Sequence, residues 1–376
     1  MKVLLATNFF KGSLSAVDAA KVIKRSILRE DESIKIDIIP ISDGGDGTIE
    51  AIKHCTDCDE IVSSVTGPLG EKVDAKWLVI TRAKEKIAII EGAQANGLSL
   101  LKPCQYNPLV TTTMGIGELI LLALEKKCKK IIVTIGGSST NDCGTGMLNA
   151  LGAKLYDKSG KAPEPGGGPL EKLEKIDLEG LDNRLKSVKL VVACDVDNPL
   201  CGPNGASAIY GPQKGATPEM VKFLDRNLAK FADIVALNTG QDLRDYPGVG
   251  AAGGIGYAMK AVLGAELIPG FDLVAELSSM EDKIKGVNLV ITTEGRLDSQ
   301  SLSGKAPFQV AKLAKKYDIP AIVIAGSVER NLDLKKANIT SAFSIVDGPI
   351  SLEDAMKNAE YLLDNITRQI INLVKI

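Results

Sequence analysis

Apolar positions at the amino-terminal end come first as a short run, then at helical spacing, then in alternation. Lys2–Thr7 is the short run and predicts a strand. Ala16, Ala20, Ile23 and Ile27 recur three or four apart, the period of a helix with one buried face. Ser15 stands where an N-cap is needed, and Asp18 follows to meet the first-turn amides. Ile34, Ile36 and Ile38 alternate as a strand does, Pro40 ends it, and the polar loop Asp43–Thr48 follows. The carboxy-terminal end has the same rhythm: a strand over Asn288–Thr293, a helix over Pro307–Tyr317, and strands over Pro320–Ala325 and Ser341–Ile345. Ser351 then caps one long last helix with the stripe Ala355, Ala359, Leu362, Ile366, Ile370 and Leu373. Strands alternating with helices at both ends predict a layered α/β domain.

The middle differs. Val73–Ile80 and Lys86–Glu91 read as adjacent strands, Ile131–Ile135 as a buried strand feeding a glycine-rich turn, and Val188–Ala193 as another buried strand. Pro163–Pro169 is a Pro/Gly loop, and Pro218–Asn238 reads as a long helix. The pattern therefore predicts a Rossmann-like α/β domain built from both chain ends, residues 1–65 plus 286–376, with an α+β domain inserted at 66–285 and an active site in the cleft between them. At roughly 150 residues per domain, a chain of 376 residues agrees with two. The longest apolar run, Leu119–Leu124, falls well short of the ~18 residues that span a bilayer. Val3–Ala6 is too short for a signal-peptide core, so the chain reads as cytoplasmic.

Charge and composition narrow the chemistry. Lys and Arg total 45 against 47 Asp and Glu, and aromatics are 4%, so neither nucleic acid nor an anionic membrane is an expected partner. The one histidine, His54, reads as a loop or helix-end residue; acid–base work falls to carboxylates and lysines. Seven scattered cysteines form no disulfide framework, and Cys55-x-x-Cys58 lacks the second pair a zinc site needs. A P-loop fails twice, at Ser299 and at Ala306 after Gly304-Lys305. The G-x-G-x-x-G match at Gly248, Gly250 and Gly253 follows the polar stretch Asp242–Pro247, so it lacks the strand that a dinucleotide site requires.

The stretch Gly136–Gly146 carries a better signal. A glycine-rich turn between a strand and a helix presents backbone amides to an anion. Ser138, Ser139, Thr140 and Asn141 add side-chain donors, and Asp142 could hold magnesium beside a phosphate. A small-residue turn with Asn141 or Asp142 as an ordinary N-cap fits the spacing equally well. Polar loops also follow strand-like runs at Asn8–Ser13, Asp43–Thr48, Thr292–Gln300 and Cys194–Gly202, where an open α/β sheet places its ligands. Asp195 and Asp197 share a face of an extended segment, so one could hold a metal and the other accept a proton.

In these segments, together with Thr66–Gly70, Asn107–Leu109, Gly211–Pro218 and Gly304–Pro307, the chain resembles the glycerate kinase type I family over essentially its whole length. The resemblance implies ATP-dependent phosphorylation of D-glycerate, with 2-phosphoglycerate favoured over 3-phosphoglycerate, and Mg²⁺ as cofactor. A kinase of a small hydroxy-acid would take Lys11, Asp195 and Asp197 as catalytic residues, and Arg296, Asp43 and Asp298 as the glycerate site. Gly136, Gly137, Ser138, Thr140, Asn141 and Lys305 would bind ATP, and Asp142 and Glu294 the metal. Which carboxylate is base and which binds metal stays open, as does monomer against homodimer. The family usually has aspartate at Asn8, glutamate at Gln94, and glycine at Cys143, Thr293 and Ser299. Asn8 keeps a ligand-sensing homologue without catalysis among the alternatives, and the Gly248–Gly253 match keeps a nicotinamide-dependent hydroxy-acid dehydrogenase.

Overall fold

A computed structural model describes residues 1–42, 44–45, 47–299 and 306–375. Along the chain come β1 (Lys2–Ala6), α1 (Ala16–Glu30), β2 (Lys35–Ile38), α2 (Thr48–Cys55), β3 (Asp59–Thr66), β4 (Lys72–Arg82) and β5 (Glu85–Glu91). Next are α3 (Ala93–Asn96), α4 (Met114–Glu125), β6 (Lys130–Thr134), α5 (Thr145–Ala150), β7 (Lys154–Asp157), β8 (Leu173–Asp177) and β9 (Lys189–Ala193). Then follow α6 (Ala206–Tyr210), α7 (Pro218–Thr239), α8 (Ala251–Tyr257), β10 (Glu266–Ile268), α9 (Gly270–Leu277) and α10 (Met280–Ile284). The last are β11 (Leu289–Leu297), α11 (Ala306–Lys315), β12 (Ala321–Val328), β13 (Ser341–Ser344), α12 (Leu352–Lys357) and α13 (Ala359–Val374).

The contacts divide the chain into two units. One holds Met1–Asp43, Glu50–Thr56 and Phe271–Ile376; the other holds Gly44–Ile49 and Asp57–Gly270. These breaks differ from 66 and 285 for physical reasons. β3 pairs antiparallel with β4 from Asp59↔Val79 to Thr66↔Lys72, which ties it to the second sheet. Phe271 and Val274 of α9, with Met280 and Ile284 of α10, pack in one cluster with Leu4 and Val290 of the first sheet.

In the first unit five parallel strands run β13-β12-β11-β1-β2. This is a doubly wound order, so the expected Rossmann-like class is present, and strand order reverses between β1 and β11. Alternation in β1 builds both faces. Val3 and Leu5 pack with Ile23 of α1 and Leu363 of α13, while Leu4 and Ala6 pack with Val274 and Val310. Ser15 and Ser351 cap as expected, accepting from the Asp18 and Asp354 amides. The long last helix is two helices, because the Asn358 side-chain amide donates to the Asp354 carbonyl at 2.8 Å and the chain turns there.

The second unit carries a six-stranded sheet ordered β10-β9-β6-β5-β4-β3 and a separate β7–β8 hairpin. β5, β6, β9 and β10 are parallel, and β3–β4–β5 is an antiparallel meander. Parallel neighbours require crossovers, and the antiparallel meander and hairpin beside them give this unit its α+β character. Trp77, Leu119, Val133, Val192, Phe231 and Tyr257 belong to one core cluster. β5, β6 and β9 end in register, Glu91 beside Thr134 and Thr134 beside Ala193, so the loops that follow them leave one edge of the sheet side by side.

Candidate active site

The glycine-rich turn follows β6 directly. Gly136 must be glycine: a Cβ there would lie 2.5 Å from the Gly45 Cα, and its N–H donates to the Gly44 carbonyl at 3.2 Å. Gly137 is exposed, and the five residues after it turn inward and are buried. The Thr140 hydroxyl accepts from Asn96 at 3.2 Å, and the Asn141 amide donates to Ser207 at 3.0 Å. The Thr140 oxygen and the Asn141 amide nitrogen are thus engaged within the protein, while Asn141 Oδ1 is buried with no partner among the described residues.

Asp142 is the largest departure from the expected site. Its carboxylate is fully buried and accepts from Thr113 N at 3.0 Å, Thr113 Oγ1 at 2.9 Å, Gly144 N at 3.0 Å and Gly146 N at 3.2 Å. Burial pushes its pKa up, against the pull of these donors. A carboxylate with four internal donors anchors the start of α5; this geometry speaks against Asp142 as a metal ligand.

Two neighbours complete this edge of the second unit. Glu91, buried at the end of β5, accepts from Ile49 N at 3.0 Å and Gly47 N at 3.4 Å, which holds the Gly44–Ile49 segment against the sheet. In the segment after β9, Asp195 and Asp197 are both exposed. Asp195 Oδ1 accepts from Gly270 N at 2.8 Å. The Gly248–Gly253 match is a brace. Ala252, Gly253 and Gly254 are left-handed in succession, with φ of 55°, 70° and 89°. A Cβ on Gly253 would lie 2.1 Å from the Thr140 carbonyl, and the Cys143 N–H donates to the Gly253 carbonyl at 3.0 Å. That backbone packs on the glycine-rich turn where a dinucleotide would have to lie.

In the first unit, the residues after β1 meet β11 at the switch point. Asn8 Nδ2 donates to Glu294 Oε2 at 3.2 Å, and Thr293 Oγ1 donates to the Asn8 carbonyl at 2.5 Å. Gly295 approaches the Lys11 backbone, since a Cβ on it would lie 3.5 Å from Lys11 N, and the Lys11 side chain is exposed. β11 runs four residues past the expected Thr293, because Arg296 and Leu297 still pair with Ser327 and Val328 of β12. Arg296 therefore lies in the strand, exposed, with Nε 3.6 Å from Asp298 Oδ2. Asp43 and Lys305 lie outside the described residues.

Reading the sequence missed Glu91 and Lys214. Lys214 is 1% exposed, and its ammonium donates to Ser138 Oγ at 2.9 Å and the Thr140 carbonyl at 2.7 Å. Burial lowers its pKa to about 7, opposed by the negative charge of Asp142. The Gly211–Pro218 stretch around it is one of the segments that carry the family resemblance, yet a lone lysine there gives no sign of facing inward. All seven cysteines are free, and burial pushes the Cys55 thiol up to about 11, far from a reactive thiolate. His54 lies in the last turn of α2, where burial lowers its pKa.

The glycerate kinase family profile matches residues 3–375. A glycerate kinase of Bacillus subtilis (strain 168) is 46% identical over 100% of this chain and 98% of its own length. A glycerate 2-kinase of Escherichia coli (strain K12) is 46% identical over 99% of this chain and 97% of its own. A crystal structure from Salmonella typhimurium LT2 superposes with a TM-score of 0.86 at 42% identity, covering 100% of this chain and 98% of that one. Among the described residues no helix is long and apolar enough to cross a membrane.

Proposed function

The chain belongs to the glycerate kinase family, and from that premise we infer that it phosphorylates D-glycerate with ATP. The 2-hydroxyl is the acceptor in this reading, favoured by the name of the Escherichia coli relative. The observation that carries the reading within the second unit is the in-register edge of β5, β6 and β9. It sets an exposed glycine turn beside a segment with two exposed carboxylates.

The amide of Gly137, with the Ser138 hydroxyl, receives phosphate oxygens, while the Gly136 amide stays on the Gly44 carbonyl. Asp197 is our choice of base, because one oxygen of Asp195 already accepts the Gly270 amide. The glycerate oxygen forms its bond to the γ-phosphorus as the bond to the bridging oxygen breaks; ADP leaves, and the hydroxyl proton passes to Asp197. Lys11 and Lys305 meet phosphate as point charges. Arg296 grips the glycerate carboxylate with its planar fork, aided by Asp43 and Asp298. Thr140 and Asn141 act in this reading by shaping the turn.

Magnesium fits the donors present. It prefers one or two carboxylates together with phosphate oxygens and water, and the exposed Asp195 offers an oxygen of that kind in the second unit, whereas the described residues hold no cluster of three His, Cys, Asp or Glu. When bound, the ion would offset charge on the transferring phosphoryl group.

Purified protein incubated with D-glycerate and MgATP should form ADP and 2-phosphoglycerate, the isomer being read by ³¹P NMR. With NAD it should form no NADH. Folded protein that binds glycerate but releases no ADP would support the ligand-sensing alternative instead.

A further inference from the structure

A buried ammonium is expensive, and among the described residues Lys214 has no carboxylate in contact to offset it. Its hydrogen-bond partners are a hydroxyl and a carbonyl, both in the glycine-rich turn. An uncharged side chain of similar volume would fill the same space without the desolvation cost. The lysine is held in place by its own backbone. It closes a single 3₁₀ turn, Pro212–Lys214, and Gly215 behind it has φ +92° because a Cβ there would lie 2.4 Å from the Tyr106 carbonyl.

The donor arithmetic is informative. An ammonium has three N–H groups and cannot accept. Two are used, on Ser138 Oγ and on the Thr140 carbonyl, and the third has no partner among the described residues. Because Ser138 Oγ accepts from Lys214, its own hydroxyl hydrogen must point elsewhere. No protein acceptor takes it among the described residues, although Ser138 is only 4% exposed.

We propose that Lys214 is a positioning residue for the phosphoryl donor: its ammonium fixes Ser138 as an acceptor, so that the Ser138 hydroxyl donates to a phosphate oxygen of ATP. The inference rests on reading the Gly136–Thr140 turn as the phosphate site.

The test compares Lys214→Met, Lys214→Gln, Ser138→Ala and the Lys214→Met/Ser138→Ala double variant, each checked for folding by circular dichroism. Lys214→Met should raise the KM for ATP by at least about tenfold, the size of a hydrogen bond to a charged group. The KM for glycerate should stay within about twofold of the original. Ser138→Ala should show the same pattern, and the double variant should be no worse than Lys214→Met alone, since both act through one hydroxyl. If Lys214→Met does not fold, Lys214→Gln, which keeps donors without charge, is read in its place. An unchanged KM for ATP in the folded variant, or fully additive losses in the double variant, overturns the proposal. Gly137→Val separates the two levels. If it leaves ATP binding intact, the phosphate-site reading fails; if it weakens ATP while Lys214→Met does not, only the role of Lys214 fails.

Discussion

At the scale of single residues, the second unit shows charged groups turned inward to hold a loop. Asp142 collects four donors, Glu91 takes the amides of Gly47 and Ile49, and Lys214 holds Ser138 and Thr140. None of these roles is visible in the sequence, because burial of a charge is a tertiary fact. Asp142 looked like a metal ligand since it follows a run of small polar residues; its partners come from Thr113 and from the next helical turn. Lys214 has a consequence for stability. Its folded pKa, about 7, lies below the ordinary 10.5. Below pH 7 both the folded and unfolded chains carry the proton. Between about 7 and 10.5 the unfolded chain holds it and the folded chain does not, so stability contributed here rises with pH, by up to about 1.4 kcal/mol per unit. Urea midpoints at pH 7 and pH 9 should therefore show a larger gain for the natural protein than for Lys214→Met. Equal gains would mean that the lysine stays charged in the fold.

At the scale of elements, the strands and helices with strong periodicity are where the sequence places them: β1, α1, β4, β5, β6, β9 and α7 all overlap their expected segments. β3 escaped because Asp59-Glu60-Ile61-Val62-Ser63-Ser64 alternates weakly and most of it is not buried. β11 was cut short since Glu294-Gly295-Arg296 reads as a loop, although pairing with β12 carries it on. The left-handed run at Ala252–Gly254 lies in the glycine-rich match that lacks a preceding strand, and its packing shows why glycine is there. Gly253→Ala should lower stability by at least about 1–2 kcal/mol from backbone strain alone. It should also raise the KM for ATP, because its methyl group pushes on Thr140. Gly264→Ala isolates the strain: φ there is +69° with nothing within 4 Å. It should lower stability and leave the KM unchanged. The same KM in both variants would remove Gly253 from the support of the turn.

At the scale of the whole molecule, the discontinuous first unit has a consequence for biosynthesis. β1 is an interior strand, flanked by β2 on one side and β11 on the other, and Val3 pairs with Leu289. At about 5–20 residues per second, the first strand waits roughly 15–60 s on the ribosome before its second neighbour is made. The strands of the six-stranded sheet are all complete by Ile268, so that sheet can close while β1 still lacks β11. A nascent chain stalled soon after Ile268 has emerged should resist protease across residues 59–268 and be cut within α1. Equal protection at both places would mean that β1 and α1 find shelter before their permanent neighbour exists. In the interval, Val3, Leu5, Ile23 and Ile27 are an unburied apolar surface. That surface is what a ribosome-associated chaperone would have to cover.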